Sequence, residues 1–139
     1  MLYRKVLSFQ SLYDIFDNSR YEDSVVLCQT YQLFPSLEEW QGKILFLETS
    51  EEKPSPSQHR QMLKKLKETG IFNVIKGLLV GKPQDDSHYE AYKENLLEIV
   101  DADISIIYNL NIGHATPRAI LLFGCMADVD AEDQVIRLR

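Results

Sequence analysis

The chain has 139 residues, of which 45% are hydrophobic and 26% charged, and its formal net charge is −6 at pH 7. This length and composition predict one globular domain with its own core and exclude a disordered polypeptide. The negative charge argues against a nucleic-acid-binding protein and against a protein of anionic membrane surfaces. Apolar runs are far shorter than a membrane span, and no signal-peptide core follows Met1. We therefore expect a cytoplasmic protein that binds neither nucleic acid nor membrane.

The first part of the chain, residues 1–33, is predicted to be a helical lead-in segment. No glycine precedes Gly42, so this part lacks the flexible breaks between elements that glycine provides. Leu12, Ile15 and Phe16 recur on one helical face, which favours an amphipathic helix.

From residue 43 onward the pattern becomes α/β. Continuous apolar runs predict strands covered on both faces at 44–47, 74–80 and 104–108. Ser55 followed by Pro56 marks the start of a helix between the first two strands. Its predicted apolar face consists of Met62, Leu63 and Leu66. A second helix is predicted from about residue 87, with an apolar face made of Tyr89, Tyr92, Leu96, Leu97 and Val100.

The segment after Pro117 has a different pattern. Short strands are predicted at 119–123, 125–129 and 134–138, and the acidic turn 130–133 joins the last two as a hairpin. The alternation of strands and helices before Pro117 predicts right-handed crossovers and parallel pairing. The predicted fold class is therefore α/β, a small parallel sheet flanked by helices with a C-terminal β-hairpin.

Two ionisable residues, Glu48 and His114, stand where apolar strand-like runs end. Ligands and chemistry gather at the carboxyl edge of open α/β sheets. Neighbouring strands lie about 4.8 Å apart, so side chains at two strand ends can meet. A carboxylate that accepts a hydrogen bond from one ring nitrogen would fix the imidazole tautomer and leave the other nitrogen as a base. The alternatives are a solvated carboxylate at Glu48 and a histidine hydrogen-bonded to backbone at His114.

A serine nucleophile does not accompany this pair in the sequence. No Gly-x-Ser-x-Gly turn, which presents an activated hydroxyl, occurs in the chain. Ser50 lies in an acidic loop, Ser55 and Ser57 are typical of a helix start, and Ser105 falls within a predicted strand. The sequence therefore offers an acid and a base without the third member of a hydrolase triad.

The other chemistry-bearing residues favour simpler interpretations. Cys28 and Cys125 lack metal or redox spacing and lie among apolar neighbours, which predicts buried free thiols. His59 and His88 are expected to be solvated, and Arg118 is interpreted as a surface cation rather than as a grip for a substrate carboxylate. No spacing typical of a metal site occurs, so no metal or other cofactor is predicted.

Four segments together resemble the C-terminal domain of the LD-carboxypeptidase family of serine peptidases, which includes the microcin-C resistance (MccF-like) proteins. In chain order they are Gly-Lys-Ile-Leu-Phe-Leu-Glu-Thr-Ser-Glu-Glu at 42–52, Gly-Ile-Phe at 70–72, Gly-Leu-Leu-Val-Gly-Lys-Pro at 77–83 and Asn-Ile-Gly-His-Ala-Thr-Pro at 111–117. The resemblance covers 34–139, which is taken as an LD-carboxypeptidase C-terminal-like domain. It implies a swivelling β/β/α-type domain that supplies the glutamate and histidine of a Ser-Glu-His triad, here Glu48 and His114.

The resemblance also implies an N-terminal domain that carries the serine and the oxyanion hole. The implied substrates are murein tetrapeptides or the peptidyl- or aminoacyl-nucleotide linkage of microcin C, and the microcin-resistance branch is the better match. Because no serine turn is present, the chain is interpreted as the catalytic C-terminal half of such an enzyme and as inactive alone. It would be an excised domain, a truncated product or half of a split enzyme, and an exposed apolar face would allow a homodimer. The alternative is a non-catalytic α/β interaction module.

Overall fold

The computed structural model describes residues 36–49, 51, 53–122, 124–130 and 132–139. The predicted helical lead-in, 1–33, and Cys28 lie outside these residues. The described elements in chain order are α1 (Leu37–Trp40), β1 (Ile44–Leu47), α2 (Pro56–Glu68), a 3₁₀ turn (Ile71–Asn73), β2 (Gly77–Gly81), a second 3₁₀ turn (Gln84–Asp86), α3 (Tyr89–Ile99), β3 (Ser105–Leu110), β4 (Ala127–Asp130) and β5 (Val135–Leu138).

The first three strands form a parallel sheet in the order β1-β2-β3. The strands β4 and β5 pair antiparallel as a separate hairpin, with Val129 opposite Ile136. The prediction of an α/β fold with a small parallel sheet and a C-terminal hairpin is confirmed. Because all three parallel strands point the same way, their carboxyl ends share one edge.

Local sequence sets where the helices begin. The Ser55 side chain accepts a hydrogen bond from the Gln58 backbone N–H, while the Gln58 side chain accepts one from the Ser55 N–H at 2.8 Å. This capping box precedes Pro56 at the first helical position, as predicted. Ser36 and Glu39 form a second capping box at α1. Each box satisfies backbone donors that would otherwise lack a partner, so the entry into each helix is fixed.

The two faces of the sheet are covered by different elements. On one face, Leu45, Leu47 and Leu78 pack in one cluster with the apolar side of α2 and with α3. On the other face, Phe46 and Leu79 form a smaller cluster with side chains of the hairpin and of the loop after β3. The members packed against this smaller cluster include Leu121, Val129 and Ile136. Strands covered on both sides explain the continuous apolar runs of β1 and β2.

The pairing of β2 with β3 contains an irregularity at its carboxyl end. Leu79 pairs with Ile107, but Gly81 pairs with Leu110, so β3 uses one residue more than β2 over this stretch. Asn109 lies in this stretch and has a positive φ of 65°, a conformation that asparagine tolerates better than most residues. This arrangement is a β-bulge.

Several predicted elements differ from the structure. The second strand begins at Gly77 rather than at 74, because the preceding residues continue from the 3₁₀ turn and Ile75 packs in the core. Residues 119–122 form no strand; instead the Ala119 N–H donates back to the Asn111 carbonyl at 2.6 Å. Leu97 was expected on the apolar face of α3, yet it is 64% exposed. That face is formed by Tyr92, Asn95, Leu96 and Ile99.

Candidate acid–base site

Glu48 is the first residue after β1, and the fold buries its carboxylate. Only 8% of the residue is exposed. A Cβ placed on Gly113 would lie 1.8 Å from Glu48 Oε2, and one placed on Gly81 would lie 3.3 Å from Glu48 Cβ. The carboxylate thus occupies space that exists because Gly113 lacks a side chain, and the Glu48 Cβ packs closely on Gly81. Gly113 also has a φ of +87°, which glycine adopts without strain.

His114 lies in the loop that follows β3, and neighbouring buried residues fix that loop. Ile112 and Ala115 are 6% and 2% exposed. The Ile112 N–H donates to the Leu110 carbonyl at 2.8 Å, which turns the chain immediately after the strand. The His114 ring points at Glu48, with 3.2 Å between Nδ1 and Oε2. The structure therefore brings together the two residues that the sequence singled out.

The second ring nitrogen of His114 faces another carboxylate. Nε2 lies 2.8 Å from Glu51 Oε2. The Glu51 side chain is 52% exposed, as is typical of a charged residue in a loop, and it also contacts the histidine. The His114 side chain is 29% exposed, so the ring is accessible from outside. A partly exposed imidazole held by a buried carboxylate can accept a proton from an incoming group and return it.

A different histidine is buried, contrary to expectation. His59 was predicted to be solvated, yet it is 3% exposed and packs on the Tyr92 ring with 4.2 Å between centroids. Its Nδ1 lies 3.4 Å from Asn95 Nδ2. Burial lowers the pKa of His59 from 6.5 to about 4, because the apolar surroundings disfavour the charged ring. His59 occurs three and four residues before Met62 and Leu63, and this helical spacing was the signal for its burial.

Asn95 links the two helices around this buried ring. Its Nδ2 donates to the Pro56 carbonyl at 2.8 Å, and its Oδ1 accepts from Arg60 Nη1 at 3.2 Å. Arg60 in turn forms an ion pair with Glu98 on α3. We call His59, Tyr92 and Asn95 the interhelical cluster. Every titratable or amide group in it has a partner that suits a neutral, structural role.

The remaining candidates have other surroundings. Arg118 and His88 are exposed, as expected for surface residues. Ser55 is used as a helix cap, and Ser105 lies in β3. Cys125 is a free thiol as predicted, but it is partly exposed rather than buried. Its Sγ contacts the Leu122 carbonyl at 2.9 Å.

Two further findings concern the residues that the structure describes. Among them, no group of three or more His, Cys, Asp or Glu side chains has an arrangement that could hold a metal ion. None of their helices is both long and apolar enough to cross a membrane.

The fold and the site define a class of domain before any relative is considered. It is a parallel α/β domain with a buried carboxylate hydrogen-bonded to a histidine at the carboxyl edge of the sheet. The sequence model of the LD-carboxypeptidase C-terminal domain matches residues 23–129. The chain belongs to this peptidase family, and the resemblance stated above is confirmed. No curated protein sequence matches the chain.

Solved structures of two larger proteins are among those that resemble the chain. The crystal structure of an MccF-like protein from Streptococcus pneumoniae in complex with AMP superposes with a TM-score of 0.82 at 63% sequence identity, over 95% of this chain. The crystal structure of muramoyltetrapeptide carboxypeptidase from Oxalobacter formigenes superposes with a TM-score of 0.54 at 26% identity, over 70% of this chain. The matches span only 38% and 36% of those two proteins.

Proposed function

We propose that Glu48 and His114 are the acid and the base of a Ser-Glu-His triad, and that this domain is the C-terminal catalytic half of a serine peptidase or amidase. The observation that carries the proposal is the 3.2 Å contact between His114 Nδ1 and the buried Glu48 carboxylate. Membership of the LD-carboxypeptidase C-terminal domain family supports it. The role of a triad acid is to orient the imidazole and to stabilise the imidazolium that forms, which a buried, fixed carboxylate can do.

The proposed reaction follows from the different roles of the two ring nitrogens of His114. With Nδ1–H donated to Glu48, the Nε2 lone pair accepts the proton of a serine hydroxyl as that oxygen attacks the substrate carbonyl. The imidazolium then donates the same proton from Nε2 to the leaving amine, and the acyl-enzyme ester remains. Water loses its proton to Nε2 in the second half of the cycle, attacks the ester and releases the serine.

The serine in this proposal comes from a domain outside the 139 residues. The MccF-like relative supports this, because the match covers 38% of its length and leaves room for a further domain. Three exposed apolar side chains follow the His114 loop in the chain and support docking of that domain. They are Ile120, Leu122 and Met126, which are 87%, 62% and 75% exposed. Exposed apolar surface is typical of regions that another protein covers. A second copy of this chain is the alternative occupant.

The proposed substrate is an amide bond in a peptidyl- or aminoacyl-nucleotide. The relative with 63% identity is MccF-like and was crystallised with AMP, which favours a nucleotide-bearing substrate. A murein tetrapeptide is the second candidate, supported by the muramoyltetrapeptide carboxypeptidase at 26% identity. A cytoplasmic location suits either substrate and belongs to this proposal.

The test uses the purified chain alone and mixed with a serine-bearing N-terminal domain of an MccF-like protein. We expect no turnover by the chain alone and turnover of a peptidyl-nucleotide amide by the mixture. In the mixture, Glu48→Gln and His114→Ala should each lower kcat by about 10²–10⁴-fold, the usual contribution of a general acid–base group. Matched controls are Glu90→Gln and His88→Ala, both at exposed positions on or beside α3.

Three outcomes would contradict the proposal in different ways. Turnover by the chain alone would show that the nucleophile lies within it. A fully active mixture carrying His114→Ala would remove the histidine from the mechanism. A complex that forms but never turns over either substrate would favour the non-catalytic interaction module.

A further inference from the structure

A cleft opens between the two long helices and the carboxyl ends of the parallel strands, next to the acid–base site. It holds about 310 Å³ of empty space, part of which is open to solvent, and this is near the lower size limit of ligand pockets. Thr49, which directly follows Glu48, lines the cleft, and so does Gly81, on which the Glu48 Cβ packs. Neither Glu48 nor His114 is among the described residues that line it. The cleft is therefore a neighbour of the acid–base pair and not a part of it.

The walls of the cleft are mainly apolar and aromatic. Val80, Pro83 and Leu96 line it together with Tyr89 and Tyr108. The two tyrosine rings lie 6.1 Å apart between their centroids and are inclined by 41°, an arrangement typical of aromatic side chains in contact. Apolar walls with aromatic rings favour a ligand whose body is a flat, apolar ring.

Lys93 is the one residue charged at neutral pH among the described residues that line the cleft. No described Asp or Glu lines it, and His59 is neutral there because burial lowers its pKa to about 4. The Lys93 Nζ lies 5.0 Å from the centre of the Tyr108 ring, within the range of a cation–π contact. The pKa of Lys93 is raised, first by hydrogen bonding to the Tyr108 side chain. The ammonium group therefore stays charged beside the aromatic wall.

Comparison with other half-buried lysines shows what is unusual about Lys93. The ammonium groups of Lys53, Lys65 and Lys82 each lie 2.6–3.1 Å from a carboxylate oxygen. None of the ion pairs among the described residues includes Lys93. Acidic groups are abundant in a chain with a formal net charge of −6, yet none neutralises this one at contact distance. Its charge is therefore available to an external anion.

We propose that this cleft binds a small aromatic anion, a flat ring system that carries one carboxylate or phosphate group. The ring packs against the apolar and tyrosine walls, and the anionic group contacts the Lys93 ammonium. Asn109, which lines the cleft at the bulge of β3, carries an amide that can donate a further hydrogen bond. The site goes beyond the proposed triad and does not depend on it. A nucleotide and the C-terminal end of a peptide with an aromatic last residue both have this chemistry.

The experiment titrates the ¹⁵N-labelled 139-residue chain with millimolar phenylacetate and follows its backbone ¹H–¹⁵N signals. Phenylacetamide is the matched neutral probe, because it has the same ring and nearly the same shape without the charge. We expect the largest shifts at Tyr89, Lys93 and Tyr108. Phenylacetate should bind about tenfold more tightly than phenylacetamide, the difference that one charge-assisted hydrogen bond supports.

Variants of Lys93 separate its charge from its packing. Lys93→Met keeps most of the apolar stem and removes the ammonium group, so it should bind the two probes equally. Lys93→Arg keeps the positive charge and should restore the preference for phenylacetate. Lys67→Met, at an exposed position near the end of α2, is the matched control and should behave like the wild type.

Two results would overturn the inference. If phenylacetate leaves the signals of Tyr89, Lys93 and Tyr108 unchanged, the cleft is not a site for aromatic anions. If the wild type binds both probes equally, or if Lys93→Met keeps the preference for phenylacetate, Lys93 does not recognise the anion. Neither result bears on Glu48 and His114, whose roles are tested by turnover in the mixture.

Two larger probes distinguish the sources of the ligand. AMP represents a nucleotide, and N-acetyl-L-phenylalanine represents the aromatic end of a peptide. The probe that shifts the same signals at the lower concentration identifies the source. Lys93→Met should weaken its binding by about tenfold, and unchanged binding in this variant would contradict the site.

Discussion

Two histidines near the carboxyl edge of the sheet occupy opposite environments. His114 is partly exposed, and each of its ring nitrogens faces a carboxylate. His59 is 3% exposed and is surrounded by the Tyr92 ring and the Asn95 amide. The first arrangement supports proton transfer, because an opposing charge stabilises the imidazolium. The second resists it, because burial of the ring away from water disfavours a positive charge.

This contrast shows that a strongly lowered pKa does not by itself mark a functional histidine. The pKa of His59 falls to about 4 through desolvation alone. Perturbed titratable groups do cluster at active sites, but structural burial perturbs them too. What distinguishes His114 is geometry: a fixed carboxylate on one side and an accessible nitrogen on the other. Three changes to the chain would break or sharpen this comparison.

The largest expected effect on stability is the response of the interhelical cluster to acid. The pKa of His59 is about 4 in the folded chain and 6.5 as the reference for an unfolded one. Between these values the unfolded chain binds a proton that the folded chain excludes. The free energy of unfolding should therefore decrease by about 3 kcal/mol as the pH falls from about 6.5 to about 4, and this contribution is fully present above pH 6.5.

Urea unfolding measured across this pH range checks the prediction. In His59→Gln the decrease between pH 6.5 and 4 should be much smaller, even though the variant starts from a lower stability. His88→Gln is the matched control, because His88 is exposed, and should keep the wild-type slope. Parallel pH profiles for the wild type and His59→Gln would show that another group is responsible.

The next effect concerns the space around Glu48. Gly113→Ala would place a Cβ 1.8 Å from Glu48 Oε2 and would also require a φ of +87°. We expect the free energy of unfolding to fall by about 2 kcal/mol, from backbone strain together with displacement of the carboxylate. Chemical denaturation measures the loss, and the ¹⁵N signals of His114 report whether the contact with Glu48 survives.

Gly124 provides a control for the backbone part of this effect. Its φ is +81°, and a Cβ there would meet, apart from its chain neighbours, no atom of the described residues within 4 Å. Gly124→Ala should cost about 1 kcal/mol, the price of a left-handed conformation alone, and leave His114 unchanged. If the two substitutions lower the free energy of unfolding equally, the Glu48 side chain can move aside without cost. That result would contradict a rigidly held Glu48 carboxylate.

The smallest of the three effects is at Asn95. Asn95→Ala removes the hydrogen bonds to the Pro56 carbonyl and from Arg60. We expect a loss of about 1 kcal/mol in the free energy of unfolding and no change in the turnover of the reconstituted enzyme. Glu94→Ala, at the adjacent exposed position of α3, should change neither quantity. A selective loss of turnover in Asn95→Ala would connect the interhelical cluster to the chemistry.

Local rules predicted much of this fold from the sequence. The Ser55–Pro56 helix start, the three parallel strands and the hairpin were identified because capping chemistry and hydrophobic periodicity depend on neighbours in the chain. The prediction for His59 was wrong because its chain neighbours, Gln58 and Arg60, are polar, whereas its burial follows from its helical spacing from Met62. The prediction that Leu97 lies on the apolar face of α3 was wrong. Leu96 and Leu97 are both apolar and adjacent, so the sequence alone does not show which of them is buried.

The candidate site was predictable only in part. Glu48 and His114 each follow a predicted strand, which indicated that both lie at the carboxyl edge of the sheet. The structure places the two side chains in contact. The contact between Glu51 and His114 was not predictable, because it depends on how two loops approach each other. The close approach of Gly113 and Gly81 to Glu48 was likewise not predictable, because the sequence does not show which side chain lies next to a glycine. The catalytic roles stay predictions.

The bulge in β3 has a consequence for where the histidine loop emerges. Along a strand, successive residues alternate between the two faces with a period of two. The extra residue near Asn109 reverses that alternation, so Ile107 and Leu110 both join the hairpin-side cluster despite their odd separation. Ile112 joins the same cluster two residues later. Removing a single residue here would invert the alternation at the end of β3 and direct Leu110 toward the helix-covered face of the sheet. The bulge therefore sets the face of the sheet from which the loop with His114 starts.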